Sequence, residues 1–593
     1  MYIAIVQNNP KVGAVKENVA CALKSLEALA ASPYPPDLVV FPAFALTGSP
    51  VEGLCFSDAF AAEVLDGAHS FIGKAPLPTL IGTLIPRPLE DVMGFISEPE
   101  ALFCKEGAGG ALGFVDIGND WAPARYASSV TTVIDGHTIS VLLDDYPEPE
   151  DDFSDSEIII LMLAKEYRGA NTMFTASEQI GFLKDFARKN RAWVIVANLV
   201  GAQDATVYDG ASLVMRPNGT IAEAGGSFVT QTITCNLKLD EALQAFETPT
   251  VSTASRGQNL GRQAADNRLV KPLLPYEADW KALKLCLGDY VAKNGFTEVV
   301  LGLSGGIDSA LTATLAVDAL GSEHVHGVLM PGPHSSKGSI DDATALAHNL
   351  GIETLTMPIT RPLDAFDELS QEVLGQKGSP VAQQNIQARI RTLYLMHLSN
   401  TFGWLVLNTG NKSEAAMGYS TLYGDTAGAL APLGNIYKSD VYGLAFWRNE
   451  KVVVIPVEIL EKEPSAELYD GQKDEDSLPP YELLDRILRL HLEDGFGVDQ
   501  ILEYLQQEPD GERFPAALVE RILNTVRGAE YKRRQEPLAP SLGYLDMSAD
   551  RVWPLTNGFH DHHRDLKPDI GLMDYLGMIR GWRQPEGWDF LAN

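Results

Sequence analysis

The stretch EVVLGLSGGIDS (298–309) joins an apolar strand pattern to a turn made of glycines, hydroxyls and a carboxylate. Its two glycines allow a tight turn and a close approach of the backbone to a ligand, because they carry no Cβ atom. The helix predicted to begin near Asp308 directs unpaired N–H groups and the positive end of its dipole at the same turn. Together with the two serine hydroxyls, these features predict a phosphate-binding loop.

Asp308 is the unexpected residue of this loop, since a carboxylate repels a phosphate unless a divalent metal ion lies between them. The loop also lacks the GKS or GKT of a Walker A sequence. Without that lysine, binding of a leaving pyrophosphate is favoured over transfer of a γ-phosphoryl group. The alternative is a surface turn in which SGG recurs by chance.

The elements around the loop alternate between short apolar strands and helical patterns from 298 to 409. This alternation predicts a doubly wound parallel sheet, with the last strand at 404–409. Ligands of such sheets lie outside the carboxyl ends of the strands, so Asp308 and Glu414 should face each other across one crevice. Two carboxylates and phosphate oxygens suit magnesium. For Glu414 alone, the alternative is a solvated carboxylate at the start of a helix.

The SGGxDS motif resembles that of the PP-loop ATP pyrophosphatase family, which binds ATP pyrophosphate while AMP is transferred to a substrate. Four further stretches resemble NAD synthetase of the long, two-domain, glutamine-dependent type: NIQARIRTLYLMHLSN (385–400), LVLNTGNKSEAAMGYSTLYGDTAGALAPLGNIYKSDVY (405–442), PSAELYDGQKDEDSLPPY (464–481) and EYKRRQ (530–535). The resemblance implies two steps: deamido-NAD is adenylated by ATP with release of pyrophosphate, and ammonia then displaces AMP to give NAD.

The same resemblance implies roles for individual residues. ATP would be bound by Ser304, Gly305, Gly306, Asp308, Ser309, Thr409 and Lys438. Magnesium would be bound by Asp308 and Glu414, and Asp308 and Lys438 would be catalytic, with Lys438 neutralising charge that develops during adenylation. Deamido-NAD would be bound by Asn385, Arg389, Asp425, Lys532 and Arg533. For the basic run that holds the last two, a solvated helix face is the alternative.

The first part of the chain alternates strands and helices in the same way, which predicts a layered α/β domain. IAIVQNNPKVGAVKENV, VVFPAFALTGSPVEGL and ANLVGAQDATVYDGASLVMRPNGTI resemble the nitrilase-like glutaminase domain of these synthetases, an αββα sandwich. That family hydrolyses glutamine with a Glu, a Lys and a Cys. Here Ala43 stands where the motif FPE has its Glu, and Asp144 stands in place of the Cys. Lys105 is the nearest candidate for the Lys.

The resemblance therefore predicts a degenerate glutaminase site in a scaffold for a homo-oligomer, with free ammonia or an ammonia-donating protein as the nitrogen source. Two alternatives stay open. Glutamine could still be used through an unusual nucleophile, Cys104 or Asp144, or the chain could be a non-catalytic nucleotide-binding regulator.

Composition limits the remaining possibilities. The net charge of −33 argues against nucleic-acid and membrane-surface roles. The five cysteines lack disulfide or zinc spacing, and no long apolar run is present, so we expect a cytoplasmic protein. HDHH (560–563) is interpreted as a solvated tail rather than a metal site. We place the domains at 1–245 and 276–593 with a linker at 246–275, and the charged segment 462–480 as a loop or a lid.

Overall fold

The computed structural model describes residues 1–88, 95–105, 107–112, 129–144, 146–147, 151–169, 176–239, 273–507, 514–543, 552–556, 559–561 and 563. Most of the predicted linker (246–272) lies outside these residues. Pro275 already begins a helix, and the boundaries 1–245 and 276–593 stay predictions. Among the described residues, no helix is both long enough and apolar enough to cross a membrane.

The first 239 residues form two large sheets and three long helices. The strands are β1 Tyr2–Gln7, β2 Leu38–Val40, β3 Thr79–Pro88, β4 Phe95–Lys105, β5 Ala108–Ala111, β6 Ser129–Ile134, β7 His137–Leu143, β8 Ile158–Leu163, β9 Trp193–Asn198, β10 Val200–Gln203, β11 Thr206–Asp209, β12 Leu213–Met215, β13 Ile221–Ala224 and β14 Gln231–Asn236. The helices are α1 Val15–Ala30, α2 Asp58–Lys74 and α3 Ala176–Asn190.

The two sheets have the strand orders β14-β1-β2-β3-β4-β5 and β13-β12-β9-β8-β7-β6. Their inner faces share one apolar core, in which Ile5 and Ile160 are fully buried. Helices α1 and α2 cover the first sheet, and α3 covers the second. The predicted αββα sandwich is therefore confirmed. Its central strands are parallel, because alternating helices join them, whereas the outer strands pair antiparallel.

The remaining residues form one parallel sheet with helices on both faces. The strands are β15 Val299–Gly302, β16 Val325–Leu329, β17 Glu353–Thr356 and β18 Leu405–Val406. The helices are α4 Pro275–Lys293, α5 Ile307–Leu320, α6 Lys337–Leu350, α7 Thr360–Leu374, α8 Pro380–Phe402, α9 Lys412–Met417, α10 Lys438–Asn449, α11 Val457–Glu461, α12 Tyr481–Leu492, α13 Val498–Gln507, α14 Ala516–Gly528 and α15 Glu530–Arg533. The order β17-β16-β15-β18 confirms the predicted doubly wound sheet, with its crevice between β15 and β18.

Helix α4 joins the two parts of the chain. Ala202 and Val207, from β10 and β11, belong to the apolar core around α4 and α5. Beside this core, Asp289 Oδ2 accepts hydrogen bonds from Asn9 Nδ2 at 2.8 Å and from the Ala202 amide at 2.7 Å. Lys293 Nζ lies 3.2 Å from the same oxygen and donates to the Ala202 carbonyl at 2.6 Å. The junction is thus a continuous core bordered by paired charges.

We expect Asp289→Ala to lower the free energy of unfolding by about 2 kcal/mol, because it leaves Lys293 and two donors without their shared acceptor. Denaturant unfolding measures this change. Lys281→Ala is the matched control on the same helix, since it removes only a half-exposed pair with Glu277. That control should cost less than about 0.5 kcal/mol. Equal effects of the two variants would contradict the proposed importance of the junction.

Candidate active site

The turn between β15 and α5 has a backbone that glycine adopts most readily. Gly305 has a φ angle of 79°, in the left-handed region that costs other residues about 1–2 kcal/mol. A Cβ atom at this position would lie 2.2 Å from the carbonyl oxygen of Ser339 in α6. Conformation and space therefore both require glycine, and the turn is packed directly against α6.

The hydroxyls of this turn contact each other and leave four amides for a ligand. Ser304 Oγ and Ser309 Oγ lie 3.0 Å apart, and each accepts from another amide of the turn. Within the described part of the chain, no acceptor binds the amides of Gly305, Ile307, Asp308 and Ser309. These amides belong to the turn and to the start of a 14-residue helix, so the site suits an anion.

Asp308 and Glu414 face the same point of the crevice, and Lys438 lies between them. Lys438 Nζ donates to Asp308 Oδ2 at 2.5 Å and lies 3.4 Å from Glu414 Oε1. Asn411 Nδ2 donates to the other oxygen of Asp308 at 2.9 Å. The lysine side chain is only 3 % exposed. The geometry expected for the two acids is therefore present, with an ammonium group bridging them.

Burial and the contacts between these groups shift the pKa values of Glu414 and Lys438. Withdrawal from bulk water raises the pKa of Glu414 to about 8, although Lys438 opposes the shift; Asp308 adds to it. Burial alone would lower the pKa of Lys438, but the two carboxylates outweigh it and raise that pKa above its ordinary value. Lys438 is thus a permanent cation beside the phosphate-binding turn.

A cleft of about 380 Å³ opens above these residues. Its walls include the turn, the ends of β16 and β18, and residues 462–468 and Asp474 of the charged segment, which we call the covering segment (462–480). Asp474 is buried and accepts hydrogen bonds from Tyr481 Oη at 3.0 Å and Tyr419 Oη at 3.3 Å. The segment predicted as a loop or lid therefore lies over the cleft, while its movement stays a prediction.

Thr409 and Asp425 also line the cleft. Asn408 holds the two loops together, because its Nδ2 donates to the Asp425 carbonyl at 2.6 Å and its Oδ1 accepts from the Gly410 amide at 2.7 Å. Asp425 Oδ1 accepts from the Thr421 amide at 2.5 Å. The structure thus places these two predicted site residues on the wall of the same cleft as the Gly305 turn.

The other residues predicted to bind deamido-NAD lie elsewhere or serve the fold. Asn385 and Arg389, on α8, are not on the cleft wall, and they contact Thr421 and the Leu422 carbonyl. Lys532 Nζ donates to the carbonyls of Gly418 and Ser420. Arg533 reaches the cleft wall, but it is buried in an ion pair with Glu530 at 2.9 Å. The structure therefore does not bring all five residues together within one chain.

Sequence reasoning missed Asn411, Ser339 and Asp474. Asn411 caps α9, with its side chain accepting from the Glu414 amide at 3.0 Å. An Asn just before KSE, after a predicted strand, is a recognisable helix start and could have indicated this residue. Ser339 and Asp474 had no comparable indication, since their contacts come from chain segments distant in sequence.

Comparison with known proteins agrees with this geometry. Residues 279–536 match the family model described as NAD synthase. The chain is 35% identical to the glutamine-dependent NAD(+) synthetase of Aquifex aeolicus over 94% of this chain and 100% of the relative. It is 34% identical to that of Thermotoga maritima over 95% and 99% of the two chains. The chain belongs to the glutamine-dependent NAD(+) synthetase family.

Solved structures give the same result. The glutamine-dependent NAD+ synthetase of Acinetobacter baumannii, in complex with adenosine diphosphate, is 26% identical, with a TM-score of 0.65 and coverage of 95% of this chain and 99% of that chain. The enzyme of Cytophaga hutchinsonii, 15% identical with a TM-score of 0.72 and coverage of 94% and 97%, shares the fold. Both comparisons span the sandwich as well as the PP-loop part of the chain.

At the edge of the sandwich where the resemblance places the glutaminase residues, the side chains differ from the expected Glu and Cys. Ala43 follows β2 and is fully buried in an apolar cluster against which Leu143 and Ala164 pack. Asp144 follows β7 and is exposed, and its Oδ1 accepts from the Ala164 amide at 2.9 Å. Lys165 follows β8 at the same edge, with its ammonium group 4.6 Å from the centroid of the Tyr146 ring. Neither a thiol nor a glutamate stands at positions 43 and 144.

The substitutes that the sequence left open are poorly placed. Cys104 is fully buried, and burial raises the pKa of its thiol to about 12, so it does not ionise at neutral pH. Lys105 Nζ binds Asp135 at 2.6 Å. Because Cys104 pairs with Thr79 at the amino end of β3, Lys105 lies at the opposite edge from Ala43. The sequence contains no lysine between Lys105 and Lys165.

The predicted solvated tail is partly packed. Asp561 pairs with Arg527 at 2.5 Å, and His563 contacts Asp499; His562 lies outside the described residues. Among the residues that the structure describes, no group of three or more His, Cys, Asp or Glu is arranged to hold a metal ion.

We expect Gly305→Ala to weaken ATP binding at least tenfold, because the added Cβ atom must displace either the turn or the first turns of α6. Calorimetric titration with ATP measures the loss. Gly288→Ala is the control, since a Cβ atom there meets nothing within 4 Å and α4 gains helix propensity. Unchanged ATP affinity in Gly305→Ala would show that the turn does not bind ATP.

Proposed function

We propose that the protein amidates deamido-NAD with ATP and ammonia to give NAD, AMP and pyrophosphate. The observation that carries this proposal is Lys438, held between Asp308 and Glu414 near a turn with four available amides. This arrangement provides fixed positive charge and hydrogen-bond donors for a polyphosphate. The family relationship supplies the reaction for which such a site is suited.

In the first step, the nicotinate carboxylate of deamido-NAD attacks the α-phosphorus of ATP, and pyrophosphate leaves. We assign pyrophosphate binding to Ser304, Gly305, Gly306 and Ser309, and contacts to ATP phosphates to Thr409 and Lys438. Lys438 is preorganised by its two carboxylate partners, so it neutralises charge on the leaving group without a large rearrangement. The protein mainly positions two polyanions.

Magnesium fits the residues present. Two carboxylate oxygens face one point, as hard divalent cations prefer, and magnesium accepts one or two protein carboxylates together with phosphate oxygens. Asp308 and Glu414 would hold the ion, which would neutralise phosphate charge when bound. Their contacts with Lys438 keep both side chains directed at the nucleotide site.

In the second step, ammonia attacks the acyl-adenylate and AMP leaves. We infer that Asp425 lies at the nicotinate end, and that Asn385, Arg389, Lys532 and Arg533 contribute to deamido-NAD binding. Lys532 and Arg533 support the site through the loop carbonyls and the buried pair described above. Asn385 and Arg389 lie on a different surface of α8, next to an exposed apolar face that we discuss below.

We infer further that the sandwich does not hydrolyse glutamine, although the relatives are named glutamine-dependent. Ala43 provides no base. Asp144 is a weak nucleophile, and its carboxylate accepts a hydrogen bond from the amide of Ala164, which follows β8. The protonated Cys104 thiol supports the same inference. Glutamine use through an unusual group is the second candidate, and the names of the relatives favour it.

We expect NAD formation with ATP, deamido-NAD and ammonium, and none above background with glutamine, because Ala43 stands in place of the base and Asp144 in place of the thiol. Liquid chromatography of NAD and an assay for glutamate measure the two reactions. Asp308→Ala should reduce the ammonium reaction at least 100-fold. Cys104→Ser tests the unusual nucleophile and should leave the ammonium reaction unchanged. Glutamate release at a rate comparable to NAD formation would refute the pseudo-glutaminase proposal.

We also propose that two copies associate through α7 and α8. These helices expose a group of large apolar side chains that the described part of the chain does not cover: Phe366, Leu369, Val373, Leu374, Val381, Leu393 and Met396. Exposed apolar surface of this extent is typical of interfaces, and a self-complementary contact closes a dimer. The dimer would also bring a second chain to Asn385 and Arg389.

We expect Leu369→Glu to shift the protein from dimer to monomer, because it places a charge in the middle of this apolar face. Light scattering coupled to size exclusion gives the mass. Val453→Glu changes an equally exposed apolar residue outside α7 and α8 and should leave the mass unchanged. A monomeric wild type, or a Leu369→Glu variant with wild-type mass, contradicts the proposed interface.

A further inference from the structure

Glu467 connects the covering segment to the amino end of α6. Its Oε2 accepts from the Ser336 amide at 3.2 Å, and its Oε1 accepts from Ser339 Oγ at 2.6 Å. Ser336 is the cap of α6, so the carboxylate lies at the positive end of the helix dipole. Glu467 has a φ angle of 47°, a left-handed backbone that is uncommon for residues with a Cβ atom. The contact with α6 maintains this unfavourable conformation.

Ser339 receives contacts from both sides. It is 4 % exposed, and its hydroxyl binds Glu467 and Lys462 of the covering segment. Its carbonyl oxygen is the atom against which Gly305 packs. Lys462 Nζ also lies 3.5 Å from Asp342 Oδ2 and 3.9 Å from Glu467 Oε1. One buried serine therefore touches both the segment that covers the cleft and the turn with the available amides.

We propose that Glu467 is a positioning residue for ATP: it holds the covering segment over the cleft and, through Ser339, fixes the turn that binds pyrophosphate. This inference rests on the proposed ligase function. Glu467 does not contact the reacting atoms in this account. Glu467 fixes the position of the covering segment, which contains Asp474, and at the same time that of the Gly305 turn. Closure of the cleft is therefore coupled to the position of the amides that would bind phosphate.

The test is the kinetics of Glu467→Gln, which keeps the size of the side chain and removes its charge. We expect kcat/KM for ATP to fall about tenfold, mainly through KM, because charge-assisted hydrogen bonds to α6 are lost. KM for deamido-NAD should change less than about twofold. Trypsin should cleave the covering segment at Lys473 faster in the variant, and ATP should protect the wild type more than the variant.

Two further variants make the test specific. Ser339→Ala removes the shared hydroxyl. If both residues act through one contact, the double variant Glu467→Gln/Ser339→Ala should lose no more kcat/KM for ATP than the more impaired of the two single variants. Glu475→Gln neutralises another exposed carboxylate of the covering segment and should leave the kinetics unchanged.

The outcomes are distinguishable. A wild type that makes no NAD from ammonium overturns the proposed function itself. An active wild type with Glu467→Gln within twofold of it overturns this inference, as do fully additive losses in the double variant. A fall in melting temperature of more than about 4 °C with equal losses for both substrates would assign Glu467 a general structural role and would also overturn it.

Discussion

The contact of Lys438 with Asp308 and Glu414 is the interaction on which the site depends. Without a cation between them, two carboxylates that face each other in a cleft would repel each other. They would also repel a phosphate group in that cleft. With the ammonium group between them, the side chains are directed at one point, and the cation lowers the repulsion between the two acids. The acids, the lysine and the turn come from β-strand ends and helix starts, which are rigid elements.

The helix starts around the cleft are used in different ways. The start of α5 leaves amides available for an anion, whereas the start of α6 is occupied by Glu467 and that of α9 by Asn411. At the start of α5, the amides of Gly305, Ile307, Asp308 and Ser309 have no acceptor among the described residues. In the proposed function, these local donors attract phosphate at short range, whereas the net charge of −33 repels anions at long range.

The sequence alone predicted the parts of the molecule that depend on local pattern. Alternating apolar strands and helices predicted a layered α/β domain and the parallel sheet, and SGGxDS predicted the turn after β15. The αββα arrangement of the first domain came from its resemblance to the nitrilase-like family. Strand β18 is shorter than predicted, because Asn408 leaves the sheet to bind the loop carbonyl of Asp425. Strand β5, Ala108–Ala111, has no strand propensity and exists through pairing with β4. The Lys438 bridge joins residues 130 positions apart, so no local pattern could reveal it.

The strand ends that carry Ala43 and Asp144 and the packed interior of the sandwich are under different physical constraints. Ala43 and Asp144 lie in turns after strands, where a side chain can change without disturbing the core between the sheets. The rest of the sandwich is not free to change in this way, because Ala202 and Val207 complete the apolar core around α4 and α5. Removing the sandwich would expose that core and leave Asp289 and Lys293 without Asn9 and Ala202. The sandwich is thus required for the fold independently of the chemistry at its strand ends, since α4 and α5 are packed against it.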